Sequence, residues 1–237
     1  MKGKFYGIGV GPGDPELITI KGVKILKSVD VVVYPESKVG KGSIALDIAK
    51  GYLRKDIEKI NLHFPMIHDR KALEEKWQEN AQIIKNKLNE GKDVAFLTLG
   101  DPTVYSTYMY IVPFLKQYKV EIETIPGITS FCSVASRVNI PLAEGKESFC
   151  ILPLMKDEEK LEKMLDNFDN VIIMKPSHAN QMLAEKLIDK GYEDKFVLIS
   201  KCGTDKEKIS YDIESLKDEK IPYLSTVIVK KGGIRDE

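Results

Sequence analysis

Three short loops carry the side chains of this sequence whose types and spacing are best suited to chemistry. Loop 1 has the sequence GVGPG at 9–13, loop 2 lies within LTLGDPTVY at 97–105, and loop 3 is PGITS at 126–130. Each loop comes directly after a short apolar run that predicts a buried strand. Open α/β sheets bind their ligands at the carboxyl ends of strands, so the three loops together indicate a ligand site.

Loop 1 invites comparison with a dinucleotide-binding turn, but its spacing is wrong for one. In the dinucleotide fingerprint the third glycine comes three residues after the second, whereas Gly13 comes two residues after Gly11. Pro12 also lacks the backbone N–H that could face a pyrophosphate. Asp30 opens the next strand rather than ending it, so the expected acid is missing. A tight structural turn is the alternative for this loop.

Loops 2 and 3 each allow either a ligand contact or a helix cap. Gly100 permits close approach of the backbone, and the Asp101 carboxylate offers acceptors for a ribose hydroxyl or an ammonium group. The alternative for Asp101 is a helix N-cap before Pro102. Thr129 or Ser130 could bind a ligand or cap the next helix, and the residue types alone favour the cap.

The first half of the chain alternates between apolar runs and helical patterns. This alternation predicts a mostly parallel α/β sheet. A helix is expected to begin with Asp14 as its N-cap and Pro15 in its first turn. The predicted strands are 5–10, 30–34, 57–62, 93–99 and 120–125, and the other predicted helices are 43–53, 69–89 and 103–117.

The second half of the chain has more strands and fewer helices. This composition favours a mixed sheet and a second α/β domain. We place the boundary near Tyr118, which gives an N-terminal domain of residues 1–118 and a C-terminal domain of residues 119–237. The predicted strands are 149–152, 171–174, 196–200, 208–211 and 226–230, and the predicted helices are 158–166 and 179–190.

The composition narrows the classes of function. Lys plus Arg number 36 and Asp plus Glu number 36, so the chain lacks the basic excess typical of nucleic-acid-binding proteins. No apolar stretch approaches the roughly 18 residues of a membrane span. The three cysteines lie far apart without a CxxC pair, which indicates reduced thiols and a cytoplasmic location. His63, His68 and His178 lack the spacing of converging ligands, so no metal site is predicted.

Together the loops carry a family resemblance that extends along nearly the whole chain. The segments GVGPGDPELITIKG (9–22), LTLGDPTVYSTY (97–108) and PGITSF (126–131) resemble, in order and spacing, the motifs of the tetrapyrrole methylases. A finer resemblance is to the methyltransferases that act on carbon-20 of cobalt-precorrin-2 or of metal-free precorrin-2. It rests on VVVYPES (31–37), LHFPM (62–66), Trp77 in the following helix and IPLAEGKESFCILP (140–153).

The resemblance implies a fold of two α/β domains with the active site in the cleft between them. It also implies a homodimer, and S-adenosylmethionine bound in that cleft largely by backbone groups. Asp101 and Tyr105 are the residues expected to contribute to catalysis, mainly by positioning. The implied cofactor contacts are Leu99, Gly100, Asp101, Val104, Thr129, Ser130, Met174, Gly203 and Thr226.

The tetrapyrrole substrate implied by the resemblance carries many carboxylates, for which Arg and Lys are the natural partners. Lys21, Lys41 and Lys175 lie near the motif loops, and the alternative for each is a solvated surface residue. Uroporphyrinogen methyltransferases of the family carry an Asp where this chain has Pro35, which argues against that substrate. The expected substrate contacts are Gly11, Pro12, Gly13, Tyr34, Lys38 and Arg137.

The expected chemistry needs little acid–base help. The sulfonium methyl of S-adenosylmethionine is already activated, and the acceptor carbon of a reduced tetrapyrrole is an electron-rich, enamine-like centre. The protein then contributes in-line alignment and exclusion of water, and well-oriented reactants can gain roughly 7–11 kcal/mol in this way. No single acid–base residue is therefore expected to dominate.

Three other functions remain open at the level of sequence. Within the family, the acceptor could be a diphthamide precursor or ribosomal RNA, although the LHFPM and IPLAEG segments argue against both. A nicotinamide-dependent oxidoreductase would use loop 1, which the positions of Pro12 and Gly13 disfavour. A non-enzymatic tetrapyrrole carrier would bind the macrocycle without S-adenosylmethionine, whereas intact loops 2 and 3 predict tight cofactor binding.

Overall fold

Two five-stranded sheets organise the computed structural model, which describes residues 3–36, 42–67, 69–218 and 221–234. The first compact unit contains the described residues up to Thr129, and the second contains those from Ser130 onward. This division comes later than the boundary expected near Tyr118. The reason is that the strand Ile122–Ile125 lies beyond Tyr118 and pairs within the first sheet.

The first sheet is entirely parallel, as the alternation of strands and helices predicts. Its inner strands are mostly buried, which explains their nearly continuous apolar runs. All five strands end at the same edge, where loops 1, 2 and 3 follow the first, fourth and fifth strands. The strands are β1 (Phe5–Gly9), β2 (Val31–Glu36), β3 (Glu58–His63), β4 (Val94–Thr98) and β5 (Ile122–Ile125), in the order β3-β2-β4-β1-β5.

Helices pack on both faces of this sheet. Val31 and Val33 belong to the core beneath one pair of helices, whereas Val32 belongs to the core beneath the other pair. This alternation is the normal consequence of side chains pointing to opposite faces of a strand. The first core involves α3 (Arg70–Asn89) and α4 (Tyr108–Gln117), and the second involves α1 (Ile20–Ser28) and α2 (Ile44–Ala49), which a 3-10 turn at Lys50–Tyr52 extends.

The predicted start of the first helix is wrong. Asp14 accepts a hydrogen bond from the Glu16 N–H, but it caps only a short 3-10 turn at Pro15–Leu17. The helix α1 begins later, because the Thr19 hydroxyl accepts a hydrogen bond from the Gly22 N–H at 3.1 Å. Thr19, and not Asp14, is therefore the N-cap that sets the start of α1.

The helix expected from residue 103 also begins later, at Tyr108. The Ser106 hydroxyl accepts a hydrogen bond from the Tyr108 N–H at 3.1 Å and so occupies the first turn. Pro113 lies inside α4 without ending it. Residues 99–107 consequently stay outside regular secondary structure, at the edge of the sheet.

The second sheet is mixed, as predicted, with the order β6-β7-β10-β8-β9. Its β6–β7 pair is parallel, and the other three pairs are antiparallel. No helix among the described residues is long and apolar enough to cross a membrane. The strands are β6 (Phe149–Pro153), β7 (Asn170–Met174), β8 (Phe196–Ser200), β9 (Lys208–Ser210) and β10 (Ser225–Lys230), and the helices are α5 (Ser130–Arg137), α6 (Glu158–Asn167), α7 (Asn180–Asp189) and α8 (Glu214–Lys217).

A buried lysine ties the segment at 140–147 to the second sheet. Lys230 in β10 is 5% exposed, and its Nζ donates to Glu147 Oε2 and to Pro141 O, both at 3.2 Å. The Asn170 side chain in β7 donates to the same carboxylate oxygen at 2.9 Å. The Asn170 amide, with a backbone N–H and the lysine, holds the pKa of Glu147 below its ordinary value. The segment IPLAEGKE is therefore held by a buried lysine that pairs with Glu147 and also bonds to the backbone of Pro141.

An aromatic cluster fills the core beneath β1. The Tyr108 ring is fully buried, with ring centroids 5.7 Å from those of both Phe5 and Phe96. Its hydroxyl shares a hydrogen bond of 2.7 Å with Thr124 Oγ1, and burial raises the pKa of Tyr108. Gly7 leaves the space that this ring needs, since a Cβ added there would lie 2.2 Å from the ring carbon Cζ.

We expect Gly7→Ala to lower the free energy of unfolding by about 1–3 kcal/mol, because the stacked ring cannot withdraw from the new methyl group. Gly51→Ala is the matched control, since nothing lies within 4 Å of the added Cβ. Its effect should stay within about 0.5 kcal/mol. Urea unfolding followed by circular dichroism measures both variants, and equal stabilities would contradict the packing role of Gly7.

Candidate active site

The backbones of loops 1 and 2 are joined at the carboxyl edge of the first sheet. Gly11 and Gly100 form an antiparallel bridge, in which Gly100 N–H donates to Gly11 O at 2.8 Å and Gly11 N–H donates to Gly100 O at 3.3 Å. Just before the bridge, Val10 N–H donates to Thr98 O at 2.9 Å. Because the Gly11 N–H is used within the protein, loop 1 is poorly suited to bind a pyrophosphate.

Loop 3 approaches the other two loops so closely that only glycine fits. A Cβ on Gly127 would lie 2.2 Å from Gly100 O and 2.7 Å from Gly9 Cα. These distances are far shorter than a normal van der Waals contact. Gly100 also has a φ of 71°, in the left-handed region that favours glycine. One glycine from each loop therefore takes part in a tight contact, which we call the glycine junction (Gly9, Gly100 and Gly127).

The Asp101 carboxylate connects loop 2 to loop 3. Asp101 is 8% exposed, its Oδ1 accepts from Thr103 N–H at 2.7 Å, and its Oδ2 accepts from Gly127 N–H at 2.9 Å. The Thr103 hydroxyl also donates to Oδ1. Hydrogen bonds to an ionised carboxylate are among the stronger ones in proteins. No helix begins here, so Asp101 is not a helix cap, and its contacts are those of a positioning residue.

The Thr129 hydroxyl has no hydrogen-bond partner in the part of the chain that the structure describes. Its Oγ1 is buried and makes no hydrogen bond among the described residues. A buried hydroxyl without a partner costs about 1–3 kcal/mol, so native structures pair most such groups. The helix α5 begins at the next residue, Ser130, yet Thr129 supplies no capping bond to it. A polar group of a ligand would satisfy the hydroxyl, which fits the cofactor contact that the family resemblance implies.

The backbone of loop 2 is strained at Tyr105. Tyr105 has a φ of 48°, a left-handed conformation that costs of order 1–3 kcal/mol for residues other than glycine. Strain of this kind clusters at ligand sites. Val104 N–H donates to Asp101 O at 3.2 Å, which closes the turn before Tyr105. Leu99 packs, partly buried, against the core on the α1 face.

The residues expected to contact substrate are only partly described. Gly11, Pro12 and Gly13 are buried in loop 1, and Tyr34 is half-buried against the core on the α1 face. Lys38, Lys41 and His68 lie outside the described residues. Among the described residues, no group of three or more His, Cys, Asp or Glu side chains is arranged to hold a metal ion.

Two of the basic candidates pair with carboxylates of the protein. Lys21 pairs with Glu123, and Lys21 and Lys4 together lower the pKa of Glu123 to about 2. Arg137, at the end of α5, donates from Nε to Glu207 Oε1 at 2.6 Å. A substrate carboxylate would therefore compete with an internal partner for either side chain.

The remaining expected cofactor contacts lie at one end of the second sheet. Met174 and Thr226 are register partners on β7 and β10, and Thr226 is buried. Gly203 follows β8 with a φ of 75°. Lys175 follows β7 with a φ of 57° and leads into a 3-10 turn at Pro176–His178, so strained backbone occurs at this end as well.

Glu207 connects two of the expected contact residues, Arg137 and Gly203, and the sequence did not reveal it. Its Oε2 accepts from Gly203 N–H at 2.8 Å, while Oε1 accepts from Arg137. Burial opposes ionisation of Glu207, but the Gly203 N–H and the Arg137 guanidinium hold the pKa of its carboxyl below the ordinary value. Glu207 thus links α5 to the Gly203 loop. Arg137 is 70 residues away, and no local spacing pattern could have indicated this pair.

We expect Asp101→Asn to loosen the link between loops 2 and 3, because one carboxylate oxygen becomes an N–H donor that faces another donor. Hydrogen exchange at the Gly127 amide should become faster even without cofactor. Loss of one charged hydrogen bond should weaken S-adenosylmethionine binding by about tenfold or more. Asp14→Asn is the control, because asparagine caps as well as aspartate there. Unchanged protection at Gly127 would contradict the positioning role.

Comparison with solved structures supports the architecture. The structure of a cobalt precorrin-4 methyltransferase from cobalamin biosynthesis superimposes with a TM-score of 0.77 at 24% identity, covering 98% of this chain and 96% of that one. The 98% of this chain that is matched includes residues of both units. The expected two-domain α/β fold, with a parallel first sheet and a mixed second sheet, is confirmed.

Sequence comparison identifies the family. The pattern described as Tetrapyrrole (Corrin/Porphyrin) Methylases matches residues 4–216. A Methanocaldococcus jannaschii protein named probable cobalt-precorrin-2 C(20)-methyltransferase is 43% identical, over 96% of each chain. The cobalt-precorrin-2 C(20)-methyltransferase of Salmonella typhimurium is 31% identical, over 98% of each chain. With its three loops in the order and spacing of the family motifs and this match over nearly its full length, the chain belongs to the tetrapyrrole methylase family.

Proposed function

We propose that this protein transfers the methyl group of S-adenosylmethionine to carbon-20 of cobalt-precorrin-2 or cobalt-factor II, in the cytoplasmic route to cobalamin. The names of the two relatives support carbon-20 as the acceptor position. The observation that carries the proposal is the buried Thr129 hydroxyl beside the glycine junction, which bonds to none of the residues that the structure describes. We also infer a homodimer from the family, and a monomeric mass in solution would contradict it.

The glycine junction supplies a rigid platform for the cofactor. S-adenosylmethionine supplies a methyl group that is already activated by the sulfonium charge. The protein then has mainly to align the methyl group with the acceptor carbon, and a preformed site does this without reorganisation. Asp101 acts by holding loops 2 and 3 together, and Tyr105 contributes through the strained turn that it ends. The proposed cofactor contacts are Leu99, Gly100, Asp101, Val104, Thr129, Ser130, Met174, Gly203 and Thr226.

The acceptor side of the site is proposed to involve loop 1 and the end of β2. The Gly11–Gly100 bridge fixes loop 1 against loop 2, so a macrocycle held by loop 1 would keep a fixed position relative to the cofactor. Arg137 would exchange its Glu207 partner for a substrate carboxylate, a bond of similar strength. The proposed substrate contacts are Gly11, Pro12, Gly13, Tyr34, Lys38 and Arg137.

Replacement of Thr129 by the isosteric valine distinguishes a hydroxyl that binds a ligand from one that stabilises the protein. Thr129→Val removes a hydroxyl that has no partner among the described residues, so the stability of the free protein should stay constant or rise. S-adenosylmethionine affinity should fall by about threefold to tenfold, the value of one hydrogen bond. Thr98→Val is the control, because Thr98 Oγ1 bonds to Ser106 Oγ at 3.3 Å and its loss should lower stability. Unchanged affinity in Thr129→Val, measured by calorimetry, would remove Thr129 from the site.

Methyl transfer itself is tested by mass spectrometry. The purified protein is incubated with S-adenosylmethionine and with precorrin-2 or factor II, each with and without cobalt. We expect one added methyl group on a cobalt form. Transfer to the metal-free reduced form alone would favour the alternative, a precorrin-2 C(20)-methyltransferase. No transfer to any form, despite cofactor binding, would refute the proposed substrate.

A nicotinamide-dependent oxidoreductase is the alternative from another class. The use of the Gly11 N–H in the bridge to Gly100 counts against it, because loop 1 then lacks a donor for a pyrophosphate. A non-enzymatic tetrapyrrole carrier would leave the buried Thr129 hydroxyl unexplained. Binding of NADH, or macrocycle binding without any S-adenosylmethionine binding, would favour one of these functions instead.

A further inference from the structure

The ion pair between Arg137 and Glu207 is unequally accessible from its two sides. Arg137 Nε, at the end of α5, donates to Glu207 Oε1 at 2.6 Å. The Arg137 side chain is 60% exposed, whereas the Glu207 side chain is only 13% exposed. The guanidinium is therefore the member of the pair that a dissolved carboxylate can reach.

The Glu207 carboxylate has donors other than Arg137. Its Oε2 accepts from Gly203 N–H at 2.8 Å, and the Cys202 thiol also forms a hydrogen bond with the carboxylate. The Glu207 N–H donates to Thr204 O at 3.0 Å, which closes the turn that brings the side chain back to Gly203. Hydrogen bonds of this kind favour the ionised form of a carboxylate that is largely removed from water. Glu207 would therefore keep its place if Arg137 turned to another carboxylate.

The helix α5 is also held without Arg137. Ser133 lies one turn earlier on the same face of α5, and its Oγ and the Cys202 Sγ share a hydrogen bond of 3.4 Å. This contact joins the helix to the same loop that carries Glu207. A change of partner at Arg137 consequently needs rotation of one long, exposed side chain and no movement of the helix.

We propose that Glu207 is a placeholder for a carboxylate of the tetrapyrrole acceptor at Arg137, which makes this contact selective for polycarboxylates. The inference rests on the proposed function and assigns a specificity-determining residue to its substrate. In the free protein, Glu207 neutralises the guanidinium. In the complex, a substrate carboxylate takes its position at Arg137, so one charge-assisted hydrogen bond replaces another and no covalent bond changes.

The selectivity follows from effective concentration. A small anion such as phosphate must compete with Glu207, which belongs to the same chain and is always next to Arg137. An acceptor that is already held through its other groups presents its remaining carboxylates at a high effective concentration as well. Glu207 therefore excludes single anions from Arg137 more strongly than it excludes a polycarboxylate macrocycle.

The substitution Glu207→Gln tests the placeholder role. The amide oxygen can still accept from Gly203 N–H, but the neutral side chain no longer pairs with the charge of Arg137. Affinity for cobalt-containing sirohydrochlorin, measured by calorimetric titration of the full-length protein without S-adenosylmethionine, should rise about twofold to fivefold, the value of an exposed ion pair. Inorganic phosphate should weaken this binding more in Glu207→Gln than in the wild type. Loss of a purely structural residue would instead lower the affinity.

Two further variants control for the change in charge. Asp205→Asn removes the same charge from the same loop, but Asp205 is exposed and does not bond to Arg137, so its affinity should rise less than that of Glu207→Gln. In an Arg137→Gln background, Glu207→Gln should bring no gain, because the guanidinium that it releases is absent.

An unchanged or lower affinity in Glu207→Gln would overturn the inference. An equal gain in Asp205→Asn, or a gain that persists without Arg137, would overturn it as well. Carbon-20 methylation by the wild-type protein together with any of these results would leave the proposed function intact. The expected gain without methyl transfer to any acceptor would refute the proposed function alone, and absence of macrocycle binding in every variant would refute both.

Discussion

The glycine junction is the contact on which the arrangement of the first unit's site depends. Three loops that follow the adjacent strands β4, β1 and β5 meet at distances that leave no space for a Cβ. Because parallel strands end at a common edge, the loops are brought together by the sheet itself. The Asp101 carboxylate then accepts one hydrogen bond from Thr103 within loop 2 and one from Gly127, and the second of these holds loop 2 to loop 3. The result is a rigid edge, which suits a reaction that needs alignment more than acid–base chemistry.

At this edge, polar groups that have hydrogen-bond partners differ in their role from polar groups that have none. Asp101 accepts bonds from protein donors and therefore positions the loops, whereas Thr129 Oγ1 and His63 Nδ1 are buried without a partner among the described residues. Each unpaired atom destabilises the free protein, and a bound ligand would relieve that cost. The strained backbone of Tyr105 belongs to the same group of features. The residues at which ligand binding is expected therefore lower the stability of the free protein.

Charged residues in the second unit serve mainly to hold loops in place. Lys230 fixes the segment at 140–147, and Glu207 joins the Gly203 loop to the end of α5 through Arg137. Lys230 and Glu207 are largely removed from water, where a charge is retained only if it is well paired, whereas the Arg137 side chain is exposed. Lys21 and Arg137, two of the basic side chains expected to meet an acidic substrate, thus also have carboxylate partners within the protein.

The sequence by itself determined the parallel first sheet, the mixed second sheet, the three loops and the family, because these follow from apolar runs, glycine spacing and motif identity within short segments. It misplaced the starts of α1 and α4, where the hydroxyls of Thr19 and Ser106 override apolar periodicity. Only the tertiary structure decided which polar groups are satisfied. Asp101 and Thr129 are equivalent in sequence as candidate caps. Asp101 accepts a bond from Gly127, 26 residues away, whereas the Thr129 hydroxyl bonds to none of the described residues. Hydrogen-bond satisfaction depends on neighbours in space that are distant along the chain, and no local spacing encodes them.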